Sequence, residues 1–299
     1  GTLGPAQVVD VVDTDDGEIT HVVTQALDVG ATVRGEIDWR RRFDHMQQHT
    51  GQHVLSAAFD RVVNARTESF HLGADYATID LNRDLTPEEI ARAEDDANRI
   101  VWEDRPVTIA FVDAVEAAKL PLRKEPAREG LLRLIDVEDY DLSACGGTHV
   151  RRTGVIGVIA VTSWERFKGG TRVGFVCGGR ALRAHRRLRD IVAASVRSLS
   201  VHPTELPAAI ERLQAEQKDA KRSIKDLQLK LAEHEAAALA AAAPNGRVVT
   251  ALDGWDQAAL KTIASAVAAR PGHVAALVSR PAPSAIVIAR HPDASVDSA

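Results

Sequence analysis

Two short motifs nearly a hundred residues apart constrain this chain more than any other feature: His49-Thr50-Gly51-Gln52-His53 and Cys145-Gly146-Gly147-Thr148-His149. Two histidines, then a cysteine and a third histidine, make up a donor set that fills a tetrahedral Zn²⁺ site. A chain that closes such a site must bring an early helix and a later loop to one point.

The run Phe43-Asp44-His45-Met46-Gln47-Gln48 continues into Val54-Leu55-Ser56-Ala57-Ala58-Phe59 without Pro and with one Gly, which predicts a helix of roughly five turns. His49 and His53 then stand at i and i+4 on one face. Gly51, Leu55, Ala58 and Val62 fall opposite, where they pack on a core. Thr50 and Gln52 flank the ligand stripe, so they are the candidate catalytic side chains beside a metal. The second motif reads as a tight turn: Gly146 and Gly147 permit positive φ and close backbone approach, and their N–H groups can face a substrate oxygen. A His pair alone is weak evidence in a chain with 11 His, but a Cys-Gly-Gly-Thr-His loop in a chain with two Cys raises it. The HExxH protease mechanism fails because position 50 is Thr, where the general base should be Glu. A compact Cys₂His₂ finger fails because the ligand pairs are too far apart.

The segments Arg42 through Phe59, Ser69-Phe70-His71-Leu72-Gly73 leading to Thr78-Ile79-Asp80-Leu81, and Leu142 through His149 together resemble the free-standing, long-form alanyl-tRNA editing proteins. The same zinc fold serves as the editing domain of alanyl-tRNA synthetase and, more distantly, of threonyl-tRNA synthetase. The resemblance implies hydrolysis of the ester that joins serine, and also glycine, to tRNA(Ala). It carries His49, His53, Cys145 and His149 over as zinc ligands, and it lays Gly146, Gly147 and Thr148 against the aminoacylated end of the tRNA. His71 and Arg42 are further candidates for substrate binding, with His71 and Asp80 in reserve as catalytic groups. One departure stands out: the synthetase's editing domain usually has Thr directly before the second His, where this chain has Gln52. The rivals are an editing and C-terminal portion of an alanyl-tRNA synthetase, and a non-catalytic structural-zinc RNA-binding module. Four protein ligands describe a closed site, so the zinc is expected to position substrate more than to activate water.

A formal net charge of −5 gives no global attraction for phosphate. RNA contact must come from local patches. One is Arg40-Arg41-Arg42, expected just ahead of the metal helix; the other is Arg180, Arg183, Arg186, Arg187 and Arg189 after Gly178-Gly179. With 45% hydrophobic residues the chain can bury a sizeable core. Two Cys imply no disulfide framework, and Cys177 reads as a buried strand residue. No leader or membrane-length apolar run is visible, so a soluble cytoplasmic protein is expected. The one methionine, Met46, is internal, so Gly1 is expected to be a cut inside a longer chain or a processed end.

Alternating residues predict a hairpin from 7–12 and 18–24 around 13–17, and a third strand over 32–39. Further strands are expected at 76–81, 107–112, 131–137, 155–162 and 172–177, with a helix over 87–103 capped by Thr86 and Glu89. The fold class is α+β, with helices against a largely antiparallel sheet. Residues 1–39 form a partial β domain, 40–200 the zinc-containing editing domain, 201–244 a long helix, and 245–299 a partial α/β domain of β-α-β-β order. Ile210, Leu213, Ala220, Ile224, Leu227, Leu231 and Ala238 recur at heptad spacing, with Gln217 and His234 as polar interruptions. The helix at 205–240 is thus of coiled-coil type, and it either pairs in a homodimer or folds back on the helix at 182–199.

Overall fold

Asp38 decides where the central helix begins. Its side chain accepts the backbone N–H of Arg41 at 3.0 Å, satisfying one of the donors a helix leaves unpaired at its start. In the computed structural model, which describes residues 1–13, 18–123, 130–280 and 284–295, helix α1 therefore runs Trp39–Val63. It is two turns longer than the sequence suggests, and Arg40, Arg41 and Arg42 lie inside its first turns instead of ahead of it. The same cap truncates the strand expected at 32–39, of which only Gly35–Glu36 forms.

The strands before it are β1 (Thr2–Leu3), β2 (Ala6–Asp13), β3 (Ile19–Val23) and β4 (Gly35–Glu36), in the sheet order β3-β2-β1-β4. The β2–β3 hairpin matches expectation; its turn at 14–17 lies outside the described residues. After α1 come β5 (Thr67–Leu72), β6 (Ala77–Leu81), α2 (Pro87–Trp102), β7 (Val107–Val112), the single turn α3 (Ala114–Ala117), β8 (Leu132–Val137), β9 (Asp141–Ala144), β10 (Ile159–Phe167) and β11 (Gly170–Cys177). They build two antiparallel sheets, β10-β11-β6-β5 and β7-β8-β9, where one was expected. Strands β5 and β9 have no counterpart in the sequence reading, being polar or short. The strand expected from Val155 begins at Ile159, because a 3₁₀ turn at Thr153–Ile156 and Gly157 at φ 74° precede it.

The core of this part joins Leu55, Ala58 and Phe59 of α1 to Ile90, Ala97 and Ile100 of α2 and to Ile79, Val173 and Phe175 of the larger sheet. Gly51 lets α1 ride directly on β11: a Cβ there would stand 2.3 Å from the Cys177 sulfur. Thr86 and Glu89 form the expected capping box on α2.

The chain divides into two compact units, residues 1–191 and 192–299. Helix α4 spans Gly179–Leu199. The second unit contains α5 (Leu206–Ala241), β12 (Arg247–Leu252), α6 (Gln257–Ala268), β13 (Val274–Ser279) and β14 (Ile286–Arg290). β12 pairs with β13 in parallel and β13 with β14 antiparallel, which is the expected β-α-β-β unit. Ala232 and Ala236 near the end of α5 pack with Leu260, Ile263 and Val267 of α6. Ile210, Leu213, Ile224, Leu227 and Leu231 of α5 are exposed. Among the described residues no helix is long and apolar enough to cross a membrane.

Candidate metal centre

The i, i+4 spacing on α1 and the loop leaving β9 bring His49, His53, Cys145 and His149 together, with all four ligand atoms within 4.8 Å of one another. The His149 ring lies 4.3 Å from that of His49 and 4.8 Å from that of His53, centroid to centroid. Cys145 Sγ is 3.4 Å from His49 Nε2. His53 and His149 are buried, while His49 and Cys145 are half-buried. The cluster is therefore closed on one side and reachable from the other, where the half-exposed Phe70 ring stands 6.2 Å from that of His49.

The glycine loop works differently from expectation. Neither Gly146 nor Gly147 is among the positive-φ residues. At Gly147 the requirement is space, because a Cβ would stand 2.1 Å from His49 Cε1, whereas Gly146 has nothing nearby. The loop is clamped from below by Arg133 of β8, whose Nη1 donates to the Cys145 and Gly147 carbonyls at 2.6 and 2.8 Å. The Gly147 N–H points back to the Cys145 sulfur at 3.4 Å. Gly146 and Thr148 face solvent.

Thr50 is fully buried. Its Oγ1 accepts the Val150 N–H at 3.1 Å and lies 3.2 Å from His149 Nδ1, so it fixes the far end of the loop. Gln52 is 2% exposed and donates from Nε2 to Ser56 Oγ at 2.8 Å, leaving Oε1 buried without a partner. Arg42 sits two turns before His49 on the same helix stripe, about 10 Å away along the axis. His71 is not brought to the cluster. Strand alternation sends Phe70 toward it and His71 to the opposite face of the sheet, where His71 lines a groove with Thr78, Ser163 and Arg172. Asp80 is used there too, in a pair with Arg172 at 2.6 Å. Of the second arginine patch, Arg180 is buried and structural: it binds Asp44 Oδ2 through Nε and Nη2 and the Gly73 carbonyl through Nη1.

Sequence reasoning passed over Arg133, Asp141 and Arg123. Asp141 Oδ2 meets His53 Nδ1 at 3.2 Å, and Arg123 Nε donates to Asp141 Oδ1 at 2.6 Å. A signal for Asp141 existed: 141, 143 and 145 share one face at strand period two.

The residues present fit a metal ion. Burial alone would push the Cys145 thiol up, but the imidazoles of His149, His49 and His53 around it outweigh burial and hold the thiol at about 3, so the sulfur is a thiolate, the form that can ligate a metal. Burial, with His53 and His49 alongside, pulls His149 down to about 4, leaving a neutral imidazole despite the nearby Cys145 sulfur. His149 Nε2 is buried with no hydrogen-bond partner, a cost that a bound cation removes. Burial opposes protonation of His53, yet the hydrogen bonds to Asp141 and Cys145 raise its pKa.

Residues 132–173, which include Cys145 and His149, match the family model of the threonyl and alanyl tRNA synthetase second additional domain. An alanine–tRNA ligase of Pyrococcus abyssi is 37% identical over 68% of this chain and 23% of its own length. The alanyl-tRNA editing protein AlaX-L of Pyrococcus horikoshii is 34% identical over 66% of this chain and 50% of its own. An alanine–tRNA ligase of Methanoregula boonei is 31% identical across 100% of this chain and 33% of its own. The chain thus spans between about a quarter and a half of these relatives. The chain is thus related to the AlaX-type alanyl-tRNA editing proteins and to the alanine–tRNA ligases.

Proposed function

We propose that the protein is a trans-editing aminoacyl-tRNA deacylase, which hydrolyses the ester of tRNA(Ala) mischarged with serine and, second, glycine. The observation that carries this reading is the convergence of His49, His53, Cys145 and His149 at a half-open point of a fold related to editing proteins. Three imidazoles and a thiolate suit Zn²⁺. When bound, Zn²⁺ would supply a Lewis acid that polarises or orients an ester oxygen.

The chain's own residues do the rest. Gly146, Gly147 and Thr148 border the accessible side, where the exposed Gly146 and Thr148 can turn backbone N–H groups to the aminoacyl ester while the Gly147 N–H stays on the Cys145 sulfur. Gln52 keeps a buried amide oxygen unpaired beside the ligand stripe, suited to accept a hydrogen bond from a small polar amino acid. Thr50 holds His149 in place. Among the described residues no carboxylate stands free at the cluster: Asp141 is consumed by His53 and Arg123. Positioning of substrate is thus the favoured role, with water activated from the substrate side.

RNA contact is assigned to the first turns of α1. A groove of about 500 Å³ there is lined by Trp39, Arg40, Arg41, Phe43, Asp44 and Arg183, and a neighbouring one of about 530 Å³ by Arg41, Arg42 and His45. Arginines beside the exposed Trp39 ring suit a single-stranded RNA end. The exposed heptad stripe of α5 supports pairing with a second copy.

The test is a deacylation assay with seryl-, glycyl- and alanyl-tRNA(Ala). Seryl-tRNA(Ala) should be hydrolysed fastest, and Cys145→Ala should lose both activity and stoichiometric zinc. Turnover by zinc-free Cys145→Ala at the parental rate rejects the catalytic site; tRNA binding without ester loss selects the structural-zinc module. A second reading, the editing and C-terminal portion of an alanine–tRNA ligase, is favoured by the full-chain match to the Methanoregula boonei ligase.

A further inference from the structure

Asp141 is a buried carboxylate that the four donors alone do not explain. It is 4% exposed, and an ion taken out of water costs several kcal/mol unless its partners replace the lost hydration. Here each oxygen has its own nearest partner. Oδ2 lies 3.2 Å from His53 Nδ1 and accepts Arg123 Nη2 at 3.4 Å; Oδ1 accepts Arg123 Nε at 2.6 Å. Ser143 Oγ stands within 3.1 Å of both oxygens and accepts Arg123 Nη2 at 3.1 Å. One end of this chain is therefore an arginine anchored on the carboxylate, and the other is a member of the cluster.

The chemistry of the two contacts gives a direction. An ionised carboxylate only accepts, so the His53 nitrogen facing it must carry the proton, and the bare nitrogen is the other one. The contrast with His149 is instructive: its Nδ1 faces Thr50 Oγ1, a hydroxyl that can donate or accept and so dictates no tautomer. We propose that Asp141, held by Arg123, is the positioning residue of the metal centre, fixing the His53 proton on Nδ1 and aiming Nε2 at the other three donors. This rests on the reading of the cluster as a zinc site. A metal-bound imidazole whose far nitrogen donates to a carboxylate is oriented and more basic.

Asparagine cannot take over, because its amide offers one acceptor oxygen where Arg123 and His53 need two. The experiment measures zinc affinity of the full chain by competition with a chromophoric chelator, alongside unfolding of the metal-free protein. Asp141→Asn should bind zinc roughly 10- to 100-fold more weakly at unchanged stoichiometry, a loss that a purely structural role would not produce without a matching loss of metal-free stability. A wild-type protein that binds no zinc overturns the metal reading and this proposal together. Tight wild-type binding with equal affinity in Asp141→Asn overturns the positioning role alone. Should that variant not fold, imidazole ¹H–¹⁵N correlations of the zinc-loaded wild type decide the matter: an Nδ1–H on His53 is expected, and an Nε2–H overturns the proposal.

Discussion

Helices α1 and α5 reverse the ordinary link between pattern and burial. In α5, 36 residues with apolar positions at heptad spacing bury only Ala209, Ala232, Ala236 and Ala240. In α1 every residue from Thr50 through Phe59 is buried, although Thr50, Gln52, His53 and Ser56 are polar. The difference lies in partners. Gln48 of α1 satisfies both halves of its amide on the Cys177 backbone, donating to O at 3.1 Å and accepting N–H at 2.8 Å, and Gln47 donates to the Val155 carbonyl at 2.9 Å. A helix that buries polar groups at such a cost in desolvation does so where a site must be built. Periodicity alone would have ranked the two helices the wrong way round.

The sharpest break of this comparison is Gly147→Ala. A methyl group there meets His49 Cε1 and Nδ1 at 2.1 and 2.5 Å, and the imidazole must leave the cluster to make room. Loss of stoichiometric zinc, read by metal analysis after dialysis, is expected with little change in the far-UV spectrum. Gly146→Ala, with nothing within 4 Å, is the control and should retain the metal.

Next in size is Asp44→Asn, which leaves Arg180 buried and short of its counter-ion. About 3 kcal/mol of stability should be lost in denaturant unfolding, the lower end for a broken buried pair because Asp44 is partly solvated. The same pair has a pH signature. Burial would raise the Asp44 pKa, but Arg180 and Arg183 lower it below its ordinary value. Its contribution is therefore complete above the unfolded-state pKa and fades as pH falls through the lowered folded value, below about 4. An exposed α5 pair such as Arg212–Glu216 should show no measurable loss in Glu216→Gln.

Gly51→Ala tests how closely α1 sits on β11. The added methyl would stand 2.3 Å from Cys177 Sγ, and overpacking of about 1–3 kcal/mol is offset by about 1 kcal/mol of helix propensity. A net loss is expected in urea unfolding, and Cys177→Ala in the same chain should relieve part of it. Additive losses would show that the sulfur is not the obstacle.

The cluster's four donors were legible because their chemistry is rare and their spacing is local: i, i+4 on a helix and a five-residue loop. What escaped depends on pairing between distant segments. His71 was misplaced because its direction is set by β5, a strand with the polar start Thr67-Glu68-Ser69, and a one-residue alternation reverses a side chain. The extra turns of α1 hang on one cap hydrogen bond from Asp38. The sequence places Arg180 in a basic patch suited to RNA, and only the approach of Asp44, 136 residues away in sequence, makes it structural.

The smallest effect on the protomer belongs to α5. Leu227 and Leu231 are 64% and 56% exposed, so replacing both with Lys removes little buried area and should change protomer stability by no more than about 0.5 kcal/mol. If the heptad stripe pairs two copies, the same change places charges at a buried seam and should convert a dimer into a monomer in sedimentation equilibrium. The wild-type chain should then melt at a temperature that rises with concentration, while the double variant should not. A wild type that sediments as a monomer at every concentration would leave α5 as the counterpart of α1 in the strict sense: one helix patterned for burial without being buried, the other buried without the pattern.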